Sequence, residues 1–213
     1  MHVVITGANR GIGKSLADRY RDRGNEVTGT SREGNGPILD VADADSHSAF
    51  ATMLDGKPID LLICNAGIFK DKKEKLVFGY PTDMWSETFA VNVAGVFLTI
   101  QALLPCLQGS RQGKIAIISS RMGSNRQAVG SSYIYRASKA AAINLGSNLA
   151  YDLKPLGIAV GVYSPGWVRT DMGGSNAEIS VEECAAGLAN RFNELNLENT
   201  GCFLNWNGKE IGY

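Results

Sequence analysis

A short apolar run that leads directly into a glycine-rich turn most constrains what this chain can fold into. Three of the four residues in His2–Ile5 are β-branched, which indicates a buried strand. Gly7, Gly11 and Gly13 then follow in a T-G-x-x-x-G-x-G spacing that opens a helical pattern. Glycines let a backbone approach a pyrophosphate closely, and the N–H groups at a helix start donate to it. The pattern therefore predicts a strand, a phosphate-binding loop and a helix.

The same residues fit a relaxed Walker A pattern, with Ala8 in place of the first glycine and Lys14-Ser15 at the end. A nucleoside triphosphatase is therefore an alternative. An apolar strand ending in aspartate, which would hold the metal ion of such an enzyme, does not stand out, because Ile38–Asp40 is too short. The remaining motifs must decide between the two interpretations.

Composition and charge exclude several other classes of protein. The 213 residues suit a single domain, 1–213, and Lys+Arg and Asp+Glu both total 21, so nothing predicts a nucleic-acid or membrane partner. Two histidines and four widely spaced cysteines predict no metal site and indicate free thiols in a reducing cytoplasm. We expect no signal peptide and a soluble, cytoplasmic protein, with the apolar stretch Phe89–Leu107 as a buried helix.

Strand-like runs alternate with helical patterns along the chain. This alternation predicts an α/β fold, a single-domain Rossmann-type doubly wound parallel sheet of about seven strands with helices on both faces. The predicted strands are His2–Thr6, Glu26–Thr30, Pro37–Asp40, Ile59–Cys64, Lys114–Ser119, Ile158–Tyr163 and Cys202–Asn205. The predicted helices cover residues 12–23, 46–54, 83–108, 134–153 and 181–195, with Ser46 and Ser180 as N-caps. Ligands bind such sheets beyond the carboxyl ends of the strands.

Tyr135 and Lys139 are four residues apart in a predicted helix, which places them on one face. A tyrosine has an ordinary pKa of about 10, and a shift to near 7 requires roughly 4 kcal/mol, which a nearby ammonium and oriented dipoles can supply. Such a side chain can transfer protons at neutral pH. A surface pair would show the same spacing, but Ser119-Ser120 before it and Pro165-Gly166 after it strengthen the catalytic interpretation.

Further motifs occur in a fixed order between Met1 and about Met172. They are the glycine loop, Asn65-Ala66-Gly67, Asn92, the serines before Y-x-x-x-K, and Pro165-Gly166-Trp167-Val168-Arg169-Thr170. In this order they resemble the short-chain dehydrogenase/reductase family. Residues 119–124 and 135–139 and the short end Gly208–Tyr213 are most similar to its C-factor and sniffer-type carbonyl reductase branch.

This resemblance implies roles for the motif residues. Tyr135 would protonate the carbonyl oxygen as hydride arrives from the nicotinamide, while Lys139 would bind the nicotinamide ribose and lower the pKa of Tyr135. Ser120 would bind the substrate oxygen, Asn92 would hold a water that relays protons to Lys139, and Thr170 would anchor the carboxamide. A polar kink in a buried helix is the alternative for Asn92. The expected cofactor-binding set also includes Gly7, Asn9, Arg10, Gly11, Ile12, Gly13, Ser31, Arg32, Asp40, Val41, Asn65, Ala66, Gly67, Pro165, Gly166 and Val168.

The position of the catalytic serine departs from the family pattern. In much of the family it lies thirteen residues before the tyrosine, whereas Ser120 lies fifteen before Tyr135. Strand alternation puts Ser119 and Ser120 on opposite faces, so only one of them can point into the site. We favour Ser120, with Ser119 and Ser124 as alternatives.

The end of the second predicted strand bears on the choice of cofactor. NAD-preferring relatives carry an acidic residue there that binds both ribose hydroxyls, whereas this chain has Ser31-Arg32, and Arg10 lies in the glycine loop. Two guanidinium groups beside a hydroxyl suit a 2′-phosphate. We predict NADP(H) as the preferred cofactor, with NAD(H) as the alternative because Glu33 is nearby, and Asp40-Val41 would border the adenine.

The substrate and the assembly state are less constrained. Residues 171–180 leave a short glycine-containing loop, which predicts an open site for a small-molecule carbonyl or alcohol, lined by Trp167, Met172, Arg121 and Val129. Small residues on helix 134–153 predict a homodimer or homotetramer, with packing inside the chain as the alternative. A cofactor-binding signalling or regulatory protein with little turnover is the second functional class that we retain.

Overall fold

A parallel six-stranded sheet forms the centre of the computed structural model, which describes residues 1–34 and 36–213. The strands are β1 (His2–Ile5), β2 (Glu26–Gly29), β3 (Leu61–Cys64), β4 (Lys114–Ile118), β5 (Ala159–Ser164) and β6 (Phe203–Asn205). Their order is β2-β1-β3-β4-β5-β6, and every neighbouring pair is parallel. The chain changes direction across the sheet between β1 and β3, as in the doubly wound fold that the sequence predicts.

Helices cover both faces of this sheet. They are α1 (Gly11–Asp22), α2 (Ala44–Leu54), α3 (Thr82–Phe89), α4 (Gly95–Gln108), α5 (Tyr133–Leu153) and α6 (Val181–Glu194). Successive strand residues alternate between the two layers, so Val3 and Ile5 pack with α1 and α6 while Val4 packs with α2, α4 and α5. Burial on both faces explains why the central strands β1, β3, β4 and β5 are almost continuously apolar.

The predicted helix 83–108 is not continuous. Ala90–Ala94 forms a π-helical segment between α3 and α4, and such segments are frequent at functional sites. By length and composition the run Thr82–Gln108 could cross a membrane, but half of its most apolar window is buried inside the fold. Ile100 and Leu103, for example, are 2% and 1% exposed and belong to the core.

The prediction of a strand at Pro37–Asp40 is wrong, and the sheet has six strands rather than seven. Ile38 forms only an isolated parallel bridge to Ser31. Pro37 offers no N–H group, and β2 already ends at Gly29, so a regular ladder cannot continue at this edge.

The two predicted N-caps have different outcomes. The Ser180 hydroxyl accepts from Glu183 N at 3.0 Å, which confirms it as the cap of α6. Ser46 does not cap α2, because Asp43 does so by accepting from Asp45 N at 3.0 Å. The Ser46 hydroxyl instead accepts from the backbone N–H of Asp40 at 2.9 Å, and so fixes the loop before the helix.

Candidate active site

Four neighbouring strands bring the sequence motifs to one edge of the sheet. β1 leads into the glycine loop, β3 into Asn65–Gly67, β4 into Ser119–Ser120, and β5 into Pro165–Gly166. The carboxyl ends of parallel strands form the ligand-binding edge of such sheets. The structure therefore places the predicted residues around a common site.

The glycine loop packs too closely for side chains at two positions. Gly7 has a φ of +66°, and a Cβ there would lie 3.1 Å from Ala66 Cα. A Cβ on Gly13 would overlap the carbonyl oxygen of Gly7. Gly11 faces the other side of the site, since its Cβ would lie 3.5 Å from Thr170 Cγ2. Close approach of the backbone is thus built into the loop.

Two polar side chains tie this loop to the end of β3. Thr6 Oγ1 accepts from the backbone N–H groups of Asn65 and Ala66, each at 3.0 Å. The Asn65 amide donates to the carbonyl oxygens of Thr6 and Gly7, also at 3.0 Å each. Asn65, which the resemblance assigns to cofactor binding, thus uses its amide nitrogen to hold the loop. The sequence reasoning missed Thr6, although its place between β1 and Gly7 was a usable signal.

The start of α1 suits a phosphate group. Arg10 precedes the helix in an extended conformation, none of the described side chains caps it, and its first turn contains no acidic residue. The N–H groups of that turn are therefore available to an anion. Asn9 is exposed beside them, and Ile12 packs partly against the core.

The Walker A alternative does not fit this geometry. Lys14 Nζ pairs with Asp18 at 2.5 Å, one turn along the exposed face of α1, rather than reaching back over the loop. In residues 1–34 and 36–213, no group of three or more His, Cys, Asp or Glu side chains could hold a metal ion.

Tyr135 and Lys139 lie side by side in the first turns of α5. Their residues are 7% and 5% exposed, and Lys139 Nζ is 5.7 Å from the centroid of the Tyr135 ring. Lys139 Nζ donates to the carbonyl oxygen of Ile118 at 2.9 Å, at the end of β4. The ring of Phe69 stacks on Tyr135, with centroids 4.0 Å apart. The pair is thus enclosed but remains next to the strand ends.

Burial dominates the protonation of this pair. Desolvation raises the pKa of Tyr135 to about 12, although hydrogen bonding with Ser120 lowers it, and the charge of Asp71 raises it further. Desolvation likewise lowers the pKa of Lys139 to about 8. The sequence argument expected the pKa of Tyr135 near 7, and the structure differs because desolvation outweighs stabilisation of the phenolate. The phenol therefore carries its proton at neutral pH.

The three candidate serines occupy different environments. Ser119 is 1% exposed and donates to the carbonyl oxygen of Lys139 at 2.8 Å, while Ser124 donates to that of Gly212. Ser120 is half-buried, accepts from Met122 N at 3.1 Å, and interacts with the Tyr135 phenol. Of the three, Ser120 is therefore the one beside Tyr135.

Asn92 bridges the π-helical segment to two other elements. Its side chain is buried, accepts from Ile68 N and donates to Ile68 O, both at 2.9 Å, and donates to Ser138 Oγ at 3.0 Å. A Cβ on Gly67 would lie 3.3 Å from Asn92 Oδ1 and 3.5 Å from Lys139 Nζ. Asn92 thus lies near Lys139 and also performs the structural role that the polar-kink alternative describes.

The residues expected near a 2′-phosphate lie after β2 and in the glycine loop. Arg32 is exposed and forms no ion pair within the described part of the chain. Arg10 pairs with Asp171 at 2.7 Å, on the surface. Ser31 Oγ donates to the carbonyl oxygen of Glu33 at 2.5 Å. Arg32 is thus available to an anion, whereas Arg10 would have to exchange a partner.

The residues expected to contact the adenine and the carboxamide already form hydrogen bonds within the protein. Asp40 Oδ1 accepts from Ala42 N at 3.0 Å, and the carbonyl oxygen of the buried Val41 is 3.0 Å from His47 Nε2. In the turn after β5, which runs through Pro165, Gly166 and the buried Val168, Thr170 Oγ1 accepts from Gly173 N at 3.0 Å. This turn folds back on itself beside the glycine loop.

Asp71 was not singled out from the sequence. It is 1% exposed in a short 3₁₀ turn, Asp71–Lys73, and its carboxylate accepts from Ile134 N at 2.8 Å and from Tyr135 N at 3.3 Å. Its neighbours Lys70, Lys72 and Lys73 make it resemble a surface residue. No local pattern indicated that it would be buried.

Known proteins share both the sequence pattern and the fold. Residues 1–179 match the family described as short chain dehydrogenase. C-signal of Myxococcus xanthus is 35% identical over 164 residues, 76% of this chain and 98% of that protein. An NADPH-bound carbonyl reductase from chicken fatty liver superimposes with a TM-score of 0.91 at 29% identity, covering 100% of this chain and 98% of the other.

The carbonyl reductase Sniffer of D. melanogaster has the same fold, with a TM-score of 0.91 at 24% identity over 100% of this chain and 99% of the other. The resemblance inferred from the motifs is thereby confirmed. The chain belongs to the short chain dehydrogenase family, as an oxidoreductase that is related to C-signal and shares the fold of a sniffer carbonyl reductase.

Proposed function

We propose that this protein is an NADP(H)-dependent oxidoreductase that interconverts a carbonyl and an alcohol. The observation that carries the proposal is the enclosed Tyr135–Lys139 pair, with Ser120 beside the phenol, at the same sheet edge as an uncapped glycine-loop helix. An NADPH-bound carbonyl reductase shares this fold over 98% of its length, which supports the same chemistry here.

The residues present fit a dinucleotide. The free N–H groups at the start of α1 would hold the pyrophosphate, Asp40 and Val41 would border the adenine, and Thr170 would meet the carboxamide. Bound NADPH would supply the hydride, which the protein's side chains cannot provide. Lys139 Nζ would bind the ribose hydroxyls by exchanging its bond to the Ile118 carbonyl.

The preference for NADPH over NADH rests on charge at the end of β2. Arg32 is exposed and unpaired within the described residues, and no acidic side chain occupies position 31 or 32. A guanidinium group can bind a 2′-phosphate through charge-assisted hydrogen bonds. Each such bond contributes about 1.5–3 kcal/mol, which corresponds to roughly 10- to 100-fold in Kd.

Tyr135 acts as the proton donor for carbonyl reduction. Because desolvation raises its pKa to about 12, the phenol stays protonated until negative charge develops on the substrate oxygen. Ser120 donates a second hydrogen bond to that oxygen, and Lys139 stabilises the phenolate that is left. Asn92, which lies near Lys139, would hold a water that returns a proton through Lys139.

The substrate is an aldehyde or ketone with an exposed end. Among the residues expected to line the opening, Trp167 and Met172 are 42% and 41% exposed and Val129 is 80% exposed, so none of the three is packed into the interior. The Trp167 indole donates to the carbonyl oxygen of Gly173 at 2.9 Å, within the turn that follows β5. We expect a broad substrate profile, and a narrow profile in a carbonyl screen would contradict it.

NADPH oxidation with a panel of aldehydes and ketones tests the proposal. Tyr135→Phe should abolish turnover while retaining NADPH binding, and Tyr151→Phe is the matched control because Tyr151 lies on α5 but is 83% exposed. Turnover by the wild type that Tyr135→Phe does not reduce would contradict the assigned role. Equal loss in both variants would point to damage of α5 itself.

The relationship to C-signal supports a second candidate, a cofactor-binding signalling protein with little turnover. The two candidates differ in their dependence on the phenol. If Tyr135→Phe abolishes carbonyl reduction but preserves the signalling activity, the signalling function is the better account. Loss of both activities together favours the oxidoreductase.

A further inference from the structure

The start of α5 is held from outside by a segment that belongs to none of the recognised motifs. The Asp71 carboxylate accepts from Ile134 N at 2.8 Å and from Tyr135 N at 3.3 Å, across 63 and 64 residues of chain. Ser132, the residue at the N-cap position, has a φ of +50° and forms no side-chain cap. Asp71 therefore satisfies the first-turn N–H groups that an N-cap normally serves.

A second contact holds the same helix end. Tyr80 Oη accepts from Ser132 N at 3.1 Å, and its ring meets the Tyr133 ring edge-on with centroids 5.2 Å apart. Ser131 and Ser132 have φ values of +56° and +50°, and Tyr80 has a φ of +68°. These values lie in the left-handed region, which residues other than glycine rarely adopt. Such strained conformations persist only where surrounding contacts hold them.

This clamp, defined as residues 71–80, connects directly to the reacting side chain. Phe69, two residues before it, stacks on the Tyr135 ring with centroids 4.0 Å apart. Tyr135 N is itself one of the groups that Asp71 binds. Besides burial, Ser120 after β4 and Asp71 shift the pKa of the phenol, and Lys139 Nζ on α5 lies 5.7 Å from the centroid of its ring.

From these contacts we infer that Asp71 is a positioning residue, which fixes the Tyr135 phenol for proton transfer by clamping the first turn of α5. The inference deepens the proposed function and rests on it. Asp71 acts through the backbone and through its charge, without touching substrate. A displacement of about 1 Å at a reacting group can cost roughly 100-fold in rate, so a modest relaxation of this turn is enough to matter.

Asp71→Asn keeps the size of the side chain but removes its charge and one acceptor. We expect kcat for carbonyl reduction to fall by about 10-fold or more while the Kd for NADPH changes less than about twofold. Tyr80→Phe, which removes one hydroxyl, should lower kcat by a smaller factor. Asp83→Asn is the matched control, since Asp83 is an exposed carboxylate in the first turn of α3 whose Oδ1 accepts from Met84 N at 2.9 Å.

A pH profile separates positioning from general structural support. The negative charge of Asp71 raises the pKa of Tyr135, so its removal should move the acidic limb of alcohol oxidation to lower pH. The ¹³Cζ signal of labelled Tyr135, assigned with Tyr135→Phe, should also titrate at lower pH in Asp71→Asn. This second readout does not depend on turnover.

Two outcomes would overturn the clamp. One is an unchanged kcat in Asp71→Asn together with a Tyr135 titration that coincides with that of the wild type. The other is a parallel loss of kcat, NADPH affinity and thermal stability in Asp71→Asn. If Asp71→Asn does not fold, Tyr80→Phe decides, and unchanged kcat in that variant would refute the inference. A wild type without carbonyl turnover would refute the proposed function, whereas the Tyr135 titration would still decide the clamp.

Discussion

Replacing Thr6 by valine tests how the glycine loop is held to the sheet. Thr6 is 1% exposed, and its Oγ1 accepts from Asn65 N and Ala66 N at 3.0 Å each. Asn65 N also lies 3.1 Å from the carbonyl oxygen of Ile63, so Thr6→Val deprives mainly Ala66 N of its acceptor. Valine has nearly the same shape, and the change therefore removes the acceptor without opening a cavity.

A buried N–H group that loses its partner costs about 1–3 kcal/mol. A loss of about 2 kcal/mol corresponds to a fall in Tm of roughly 4–8 °C for a domain of this size. Thr88→Val is the control, because Thr88 is also 1% exposed but its Oγ1 has no hydrogen-bond partner among the described residues. That variant should be unchanged or slightly more stable.

Differential scanning calorimetry of the wild type, Thr6→Val and Thr88→Val measures these differences in Tm. Equal Tm changes in Thr6→Val and Thr88→Val, or no change in Thr6→Val, would refute the reasoning. Because Asn65 and Ala66 adjoin the glycine loop, Thr6→Val should also weaken NADPH binding. Thr88→Val should leave that binding unaltered.

Three further predictions concern the serines, the buried lysine and the assembly. Ser120→Ala should lower kcat about 100-fold while Ser124→Ala lowers it little, and full turnover by Ser120→Ala would overturn the assignment. Burial lowers the pKa of Lys139 from 10.5 to about 8. Between pH 8 and pH 10.5, Lys139 is therefore protonated in the unfolded state but has lost its proton in the folded state. Stability of the cofactor-free protein should thus gain from rising pH there, and Lys139→Met should reduce that gain in urea unfolding. Ala137, Ala140 and Ala141 stay half-buried on α5, and light scattering should show a homodimer or homotetramer, whereas a monomeric mass would contradict it.

Local chemistry made the fold largely predictable. The β-branched run His2–Ile5 and the glycines after it specify a strand and a tight turn whatever the rest of the chain does, and the structure has both. The run Pro37–Asp40 has strand-like composition, but pairing requires a partner with free N–H and C=O groups. Composition does not report whether such a partner exists, so this strand was predicted wrongly.

The details of the site depend on contacts between distant residues. Asp71 accepts a hydrogen bond from α5, more than sixty residues away in the sequence, and its lysine-rich neighbours do not indicate that it is buried. The raised pKa of Tyr135 is likewise a consequence of tertiary burial, which the spacing to Lys139 cannot reveal. Residue types at the strand ends were therefore predictable, whereas their hydrogen-bond partners and protonation were not.

Parallel titrations with NADPH and NADH, followed by tryptophan fluorescence, test the central claim most directly. We predict that NADPH binds at least about 10-fold more tightly than NADH, and that Arg32→Ala removes most of this difference. Equal affinity for both dinucleotides would contradict the preference for NADP(H). Binding of neither would contradict the oxidoreductase itself.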